Sequence, residues 1–163
     1  MMPAWIAKIE GLEEKLQGLF ERLLPEIPCH DWDKDVTEVS GGQRQRLAFM
    51  RALIKPFDIL FGDEPTGNLD SWKANQAIAL LVAELKKQKG MACIVSHDIS
   101  LATKYADIIY LLTPSDGDSS ESHGELKSVN CFERASKGWL NFDGKLIEDN
   151  ELESHLHKAL QAS

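Results

Sequence analysis

The sequence predicts an α/β fold with parallel strands, an amino-terminal helical subdomain, and a carboxy-terminal hairpin plus helix. Three observations carry this. Two short apolar runs, Ile59-Leu60-Phe61-Gly62 and Met91-Ala92-Cys93-Ile94-Val95, flank a stretch of helical periodicity. Parallel strands need such a long connection, and it is right-handed. Helical patterning dominates the residues before the first run, and the dipeptide Asp143-Gly144 separates two short runs rich in apolar residues, 139–142 and 145–147, near the end. Asp-Gly between apolar runs is a strong hairpin signal.

Residues 5–24 read as an amphipathic helix, with Trp5/Ile6, Ile9, Leu12, Leu16, Leu19/Phe20 and Leu23 on one face. Pro25 and Pro28 end it. Such a stripe usually faces a core; a docking helix for a partner is the alternative. Residues 29–39 form a polar connector. A second helix starts after Ser40, a good N-cap, turns Leu47, Met50 and Leu53/Ile54 inward, and stops at Lys55-Pro56.

Residues 59–62 form a buried parallel strand. A helix over about 71–89 follows, with Ala74, Ala77/Ile78, Leu81 and Leu85 inward and Gly90 as its stop. Residues 91–95 are the next buried strand. A short helix over about 99–105 leads to a third strand at 108–112. Residues 114–125, PSDGDSSESHGE, are polar and small and read as a loop. Residues 139–142 and 145–147 pair around Asp143-Gly144. A helix over about 151–160, capped by Asn150, closes the chain.

At 163 residues there is enough chain for one cored domain. The net charge of −8 argues against nucleic acid as a partner. Much of it lies late: residues 114–163 hold 10 acids and 5 bases. The three cysteines, Cys29, Cys93 and Cys131, are odd in number and far apart. They suit reduced thiols better than a disulfide framework or a zinc site. His30, His123, His155 and His157 lack partners at metal spacing and read as surface residues. No apolar stretch reaches the roughly 20 residues of a membrane span. Lys8 and Glu10 interrupt any secretory signal.

The chemistry lies in three segments. Val39-Ser40-Gly41-Gly42-Gln43-Arg44-Gln45-Arg46 opens a helix with a glycine pair. Backbone N–H groups and the helix dipole favour an anion at such a start, and the glycines admit another molecule closely. Phe61-Gly62-Asp63-Glu64-Pro65-Thr66-Gly67-Asn68-Leu69-Asp70 places two carboxylates where a strand ends. Ligands of parallel sheets bind at that edge. Ser96-His97-Asp98 directly follows the next strand. In order and spacing these segments resemble the signature motif, the Walker B strand with its D-loop, and the switch histidine of the ATP-binding cassette (ABC) ATPases. The octet DEPTGNLD is most similar to the ATPases of lipoprotein-release and macrolide-export transporters. The resemblance covers roughly residues 30–112.

That resemblance implies a partial P-loop NTPase fold, with ATP and Mg²⁺ as cofactors. It casts Asp63 as a Mg²⁺ holder through water and Glu64 as the base that polarises the attacking water. His97 would contact the terminal phosphate and that water. Ser40, Gly41, Gly42 and Gln43 would cover the terminal phosphate of ATP held by an opposing subunit, and Asp70 would lie at the dimer seam. Arg44 and Arg46 receive no role, since such residues are more often solvated or ion-paired.

Departures from the family pattern are specific. Val39 stands where leucine is usual, and Gly62 lies within the strand. No Gly-x-x-x-x-Gly-Lys-Ser/Thr phosphate loop (Walker A) occurs in the sequence. Only 38 residues precede Val39, too few for the strands that carry that loop. The chain therefore reads as the carboxy-terminal half of such a domain, weak or inactive alone. Three parts are expected: residues 1–56 with the signature motif, 57–113 with Walker B, D-loop and switch histidine, and 114–163 with acidic loop, hairpin and helix. Expected partners are another ABC ATPase subunit or a Walker A-bearing chain, and a membrane permease subunit. The expected location is cytoplasmic, peripheral on the inner face of the membrane. A non-enzymatic regulatory or docking module, or a truncated inactive gene product, are the alternatives. A chromosome-segregation ATPase fits less well, because no long heptad run precedes the signature.

Overall fold

The computed structural model describes residues 11–27, 38–114, 124–125 and 130–161. It falls into two units, Met1–Ser96 and His97–Ser163.

Among the described residues, the first unit holds three helices and a parallel strand pair. Helix α1 spans Leu12–Leu23, with Gly11 in the left-handed region at its start (φ 68°). It ends before Pro25, as the sequence requires; the predicted residues 5–10 lie outside those described. Leu19 and Leu23 are buried, as is the capping residue Leu24. Helix α2 spans Gly41–Ile54 behind a Ser40 cap. Its buried stripe, Arg46, Phe49, Met50, Leu53 and Ile54, has the helical spacing expected of a core face, with an arginine at its head. Helix α3 spans Ser71–Gln88 and buries Ala74, Ala77, Ile78, Leu80 and Leu81. Lys15 on α1 reaches Glu84 on α3 at 3.3 Å.

The left-handed residue ending α3 is Lys89 (φ 55°), not the expected Gly90. Gly90 serves a different need: a Cβ there would lie 3.0 Å from the Phe57 carbonyl oxygen and 3.1 Å from that of Asp58.

Strands β1 (Ile59–Asp63) and β2 (Met91–Val95) pair in parallel, joined through α3. Gly62 is explained by close packing, since a Cβ on it would come within 2.9 Å of the Ile94 side chain. The two strands are not buried on both sides as the apolar runs suggest. Residues 59, 61, 63, 91, 93 and 95 are all exposed, while those between are half-buried. Register pairs Ile59 with Met91, Phe61 with Cys93 and Asp63 with Val95, so the exposed residues share one face. That face is an apolar patch ending in a carboxylate.

The second unit has its own core. Helix α4 spans Ile99–Tyr105, capped by Asp98, whose carboxylate accepts the Leu101 N–H at 3.0 Å. Strand β3 (Ile108–Tyr110) is the expected third strand, but it pairs antiparallel with β6 (Cys131–Ala135). Short strands β4 (Thr113–Pro114) and β5 (Gly124–Glu125) bracket the predicted loop, most of which lies outside the described residues. Strand β7 (Gly138–Asn141) and β8 (Leu146–Ile147) complete a sheet of order β3-β6-β7-β8. Helix α5 spans Asp149–Gln161, two residues earlier than expected, so Asn150 lies in its first turn rather than at its cap. Ile99, Ile109, Leu111, Phe132, Trp139, Leu152 and Leu156 form the core. The fully buried Trp139 donates to the Asp149 carboxylate at 2.7 Å, and the Arg134 guanidinium lies 4.3 Å from its ring centre. His155 is exposed but meets the Phe132 ring edge-on at 6.0 Å, and His157 is exposed. Cys29, His30 and His123 lie outside the described residues.

The hairpin at Asp143-Gly144 is present, built mainly by Asn141. Its side-chain oxygen accepts the N–H groups of Asp143 (3.1 Å) and Lys145 (2.8 Å). Gly144 takes the left-handed conformation (φ 74°) that such a turn needs.

Candidate functional site

The start of α2 is closed by a reciprocal cap. Ser40 Oγ accepts the Gln43 N–H at 3.2 Å, and Gln43 Oε1 accepts the Ser40 N–H at 2.8 Å. This capping box satisfies two helix-end groups within the chain itself. Among the described residues, none bonds the N–H of Gly41 or Gly42. Those two donors, at the positive end of a helix of 14 residues, are what this turn offers an outside anion.

Asp63 ends β1 on the bare face, where its carboxylate is exposed. Glu64 follows with φ 42°, a left-handed backbone unusual for a non-glycine residue. Its N–H donates to the Val95 carbonyl at 2.9 Å, extending the β1–β2 ladder by one bond past Asp63. The chain then turns tightly: the Gly67 N–H reaches the Glu64 carbonyl at 3.2 Å, and the Leu69 N–H reaches that of Thr66 at 2.9 Å. Gly67 packs against Glu64, since a Cβ on it would sit 3.8 Å from Glu64 Oε2. Thr66 is buried beneath the turn.

Asp70 caps α3. Its carboxylate accepts the Lys73 N–H at 2.9 Å and faces the Lys73 ammonium at 3.1 Å. The backbone bond from Lys73, backed by its side chain, holds the Asp70 carboxyl below the usual carboxylate range.

These pieces meet. A Cβ on Gly42 would lie 3.5 Å from the Asn68 carbonyl oxygen and 3.9 Å from Leu69, so the glycine turn rests against the D-loop. The sequence reading assigned nothing to Gln45 and Arg46, yet both join the two segments. Gln45 Nε2 donates to the Glu64 carbonyl at 3.1 Å, and its Oε1 accepts the Asn68 N–H at 3.1 Å. Arg46 is buried and pairs with Glu26 from the loop after α1. Burial lowers its pKa from arginine's ordinary value, while the Asp70 carboxylate pulls it up. Its Nε has no hydrogen-bond partner among the described residues. A signal for both was present: each lies one helical turn before a buried residue, Phe49 or Met50, so a polar side chain there needs partners.

His97 opens the second unit, exposed and two residues beyond the end of β2. Asp98 is spent on capping α4. Among the described residues, no group of three or more His, Cys, Asp or Glu is placed to hold a metal. A lone strand-end carboxylate such as Asp63 suits Mg²⁺, which keeps most of its waters and takes one or two carboxylates plus phosphate oxygens. No described helix is long and apolar enough to cross a membrane.

Comparison with known proteins gives the same motifs a wider frame. The family model described as ABC transporter matches residues 9–67. The lipoprotein-releasing system ATP-binding protein LolD of Shewanella sp. (strain MR-4) is 48% identical over 105 residues, covering 63% of this chain and 44% of that protein. The manganese transport system ATP-binding protein MntB of Bacillus subtilis (strain 168) is 40% identical over 90 residues, 55% of this chain and 36% of that protein. Among solved structures, the dimeric bacterial ABC transporter cassette MJ0796 superposes with a TM-score of 0.50 at 28% identity, covering 63% of this chain and 44% of that one. The chain thus spans less than half the length of each of these relatives. The strand pair closing on Asp63-Glu64, the capped glycine turn beside it and these likenesses together make the chain similar, over part of its length, to the ATP-binding proteins of ABC transporters.

Proposed function

We propose that this chain is the signature-and-Walker B part of an ABC transporter ATPase, and that it acts only with a polypeptide supplying the phosphate loop. The observation that carries this reading is the bare face of β1–β2. Parallel strands are ordinarily covered on both faces. Here Ile59, Phe61, Met91 and Val95 stand exposed on one face, directly before the Asp63 carboxylate. An apolar patch rimmed by a functional carboxylate is the expected seat of a missing layer.

In this reading Asp63 helps hold Mg²⁺, and Glu64 orients and polarises the attacking water. Gly41 and Gly42 close over the terminal phosphate of a nucleotide bound opposite, with Ser40 and Gln43 fixing the turn. His97 contacts a terminal phosphate, and Asp70 lies at the dimer seam. The residues fit the metal and the terminal phosphate. They do not fit the whole triphosphate, because the sequence carries no phosphate loop. The Shewanella and Bacillus relatives are named as ATP-binding proteins of a lipoprotein-releasing system and a manganese transport system. A membrane permease partner and a peripheral place at the inner membrane face follow from that kinship. A non-enzymatic docking module would use the same face without hydrolysis.

The deciding experiment mixes the purified chain with an amino-terminal LolD segment that carries the phosphate loop. ATP hydrolysis is measured with Mg²⁺. A rate absent from either piece, and lost at least 100-fold in Glu64→Gln, is expected, since removal of a water-orienting base costs about 10²–10⁴-fold. Stable complex formation with no hydrolysis would favour the docking reading. No complex at all would end both.

A further inference from the structure

We propose that Gln45 is a positioning residue that sets the backbone of Glu64 and ties it to the glycine turn of α2. This extends the functional reading above, in which Glu64 acts on water, but the structural hold itself does not depend on that reading.

The Gln45 side chain spans two points of one loop. It donates to the Glu64 carbonyl and accepts from the Asn68 N–H, both at 3.1 Å. Only one orientation of the amide satisfies both, because each neighbour has a fixed polarity. The Glu64 carbonyl thus receives two donors, Gln45 and the Gly67 N–H, while its own N–H is held by Val95. These bonds pin a residue whose φ of 42° is unusual for a side chain with a Cβ. Such a conformation persists where surrounding contacts over-determine it. The direction in which the Glu64 carboxylate leaves the chain is therefore set from α2.

Gly42 lies three residues before Gln45, on the same side of the helix. It packs on Asn68, whose N–H Gln45 holds. An anion drawing on the Gly41 and Gly42 N–H groups would pull on the same helix turn that anchors Glu64. Closure over a phosphate is then felt at the water-orienting carboxylate through one side chain.

Three variants separate the parts of this hold. Gln45→Glu keeps an acceptor for Asn68 but has no N–H for Glu64. Gln45→Leu removes both bonds, and Gln45→Asn keeps the chemistry on a shorter arm. Nuclear magnetic resonance on the full chain reads them, with the protected Gln43 amide reporting that α2 is still capped. In Gln45→Leu and Gln45→Asn, the Asn68 amide should exchange at least tenfold faster and the Glu64 carbonyl and Cα shifts should leave their left-handed values. In Gln45→Glu, Asn68 should remain protected while the Glu64 shifts still move. Unchanged Glu64 shifts in all folded variants would overturn the proposal. In the reconstituted mixture, Gln45→Glu should lower kcat at least tenfold with KM within twofold. An unchanged kcat would also overturn it. If wild-type chain shows no hydrolysis in any mixture, the functional reading fails, and the exchange and shift data alone decide the hold on Glu64.

Discussion

Phe61 should be nearly silent in the chain alone and costly in a complex. It is 78% exposed at the centre of the bare β1–β2 face. Phe61→Ser therefore removes little that the isolated chain buries, and exposed substitutions of this kind shift stability by about 0.5 kcal/mol or less. Full burial of such a side chain is worth about 1.5–3 kcal/mol. Scaled by its 78% exposure, covering Phe61 contributes about 1.2–2.3 kcal/mol to association with a phosphate-loop segment. At 1.4 kcal/mol per tenfold, the variant should bind that segment roughly 7- to 40-fold more weakly. Urea unfolding of the chain and titration calorimetry with the LolD segment measure the two halves. Binding unchanged within twofold would refute the assignment of this face. A stability loss above about 1 kcal/mol would refute it differently, by showing Phe61 already packed.

Two further outcomes concern stability. Burial pushes the Glu84 carboxyl up, but hydrogen bonds and charges from Lys87 and Lys15 outweigh it and leave its pKa below the ordinary 4.5. A carboxyl with a lowered folded pKa adds stability above pH 4.5 that is lost as pH falls through the folded value. Wild-type chain should thus lose melting temperature more steeply than Glu84→Gln from about pH 5 to 3, and parallel curves would refute the network. Gly138 sits at φ 121°, where a Cβ would overlap the Ile147 carbonyl oxygen. The conformation alone costs an L-residue about 1–3 kcal/mol. With the overlap, Gly138→Ala should lose about 3 kcal/mol and lower the melting of the second unit by roughly 12–24 °C, followed by Trp139 fluorescence. A fall under about 4 °C would show that β7 and β8 separate easily at this point.

The sequence made periodicity legible and partners illegible. Ser40, the stop at Lys55-Pro56, both strands of the parallel pair and the Asp143-Gly144 turn follow from local rules, because each depends on residues within one turn or strand. Burial of the strands did not follow, because it depends on whether a second layer is present. The apolar runs at 59–62 and 91–95 read identically covered or bare. Strand β6 also escaped. Its single fully apolar anchor, Phe132, is flanked by Cys131, Glu133 and Arg134, and Arg134 acts through tertiary partners: it donates to the Ala106 carbonyl at 2.8 Å and to that of Thr103. In the site, Asp63, Glu64 and the glycine pair are visible as motifs. Gln45 and Arg46 are visible only as polar residues heading a buried stripe.

The hold on Glu64 bears on how a phosphate-loop partner would engage. Its backbone is fixed by β2 through Val95, by α2 through Gln45 and by its own turn through Gly67. All three anchors lie within the first unit, and none needs a further layer of sheet. The carboxyl end of β1, with its left-handed residue Glu64, is therefore organised before anything covers the apolar face. A partner arriving there meets a shaped surface and spends little of its binding free energy on ordering it, which favours affinity for a given area. Were Gln45 absent, the same apolar contacts would have to order the Glu64 turn as well. Association and hydrolysis would then fail together; under the proposed function they should instead separate by mutation, Phe61→Ser weakening docking and Gln45 or Glu64 variants lowering turnover.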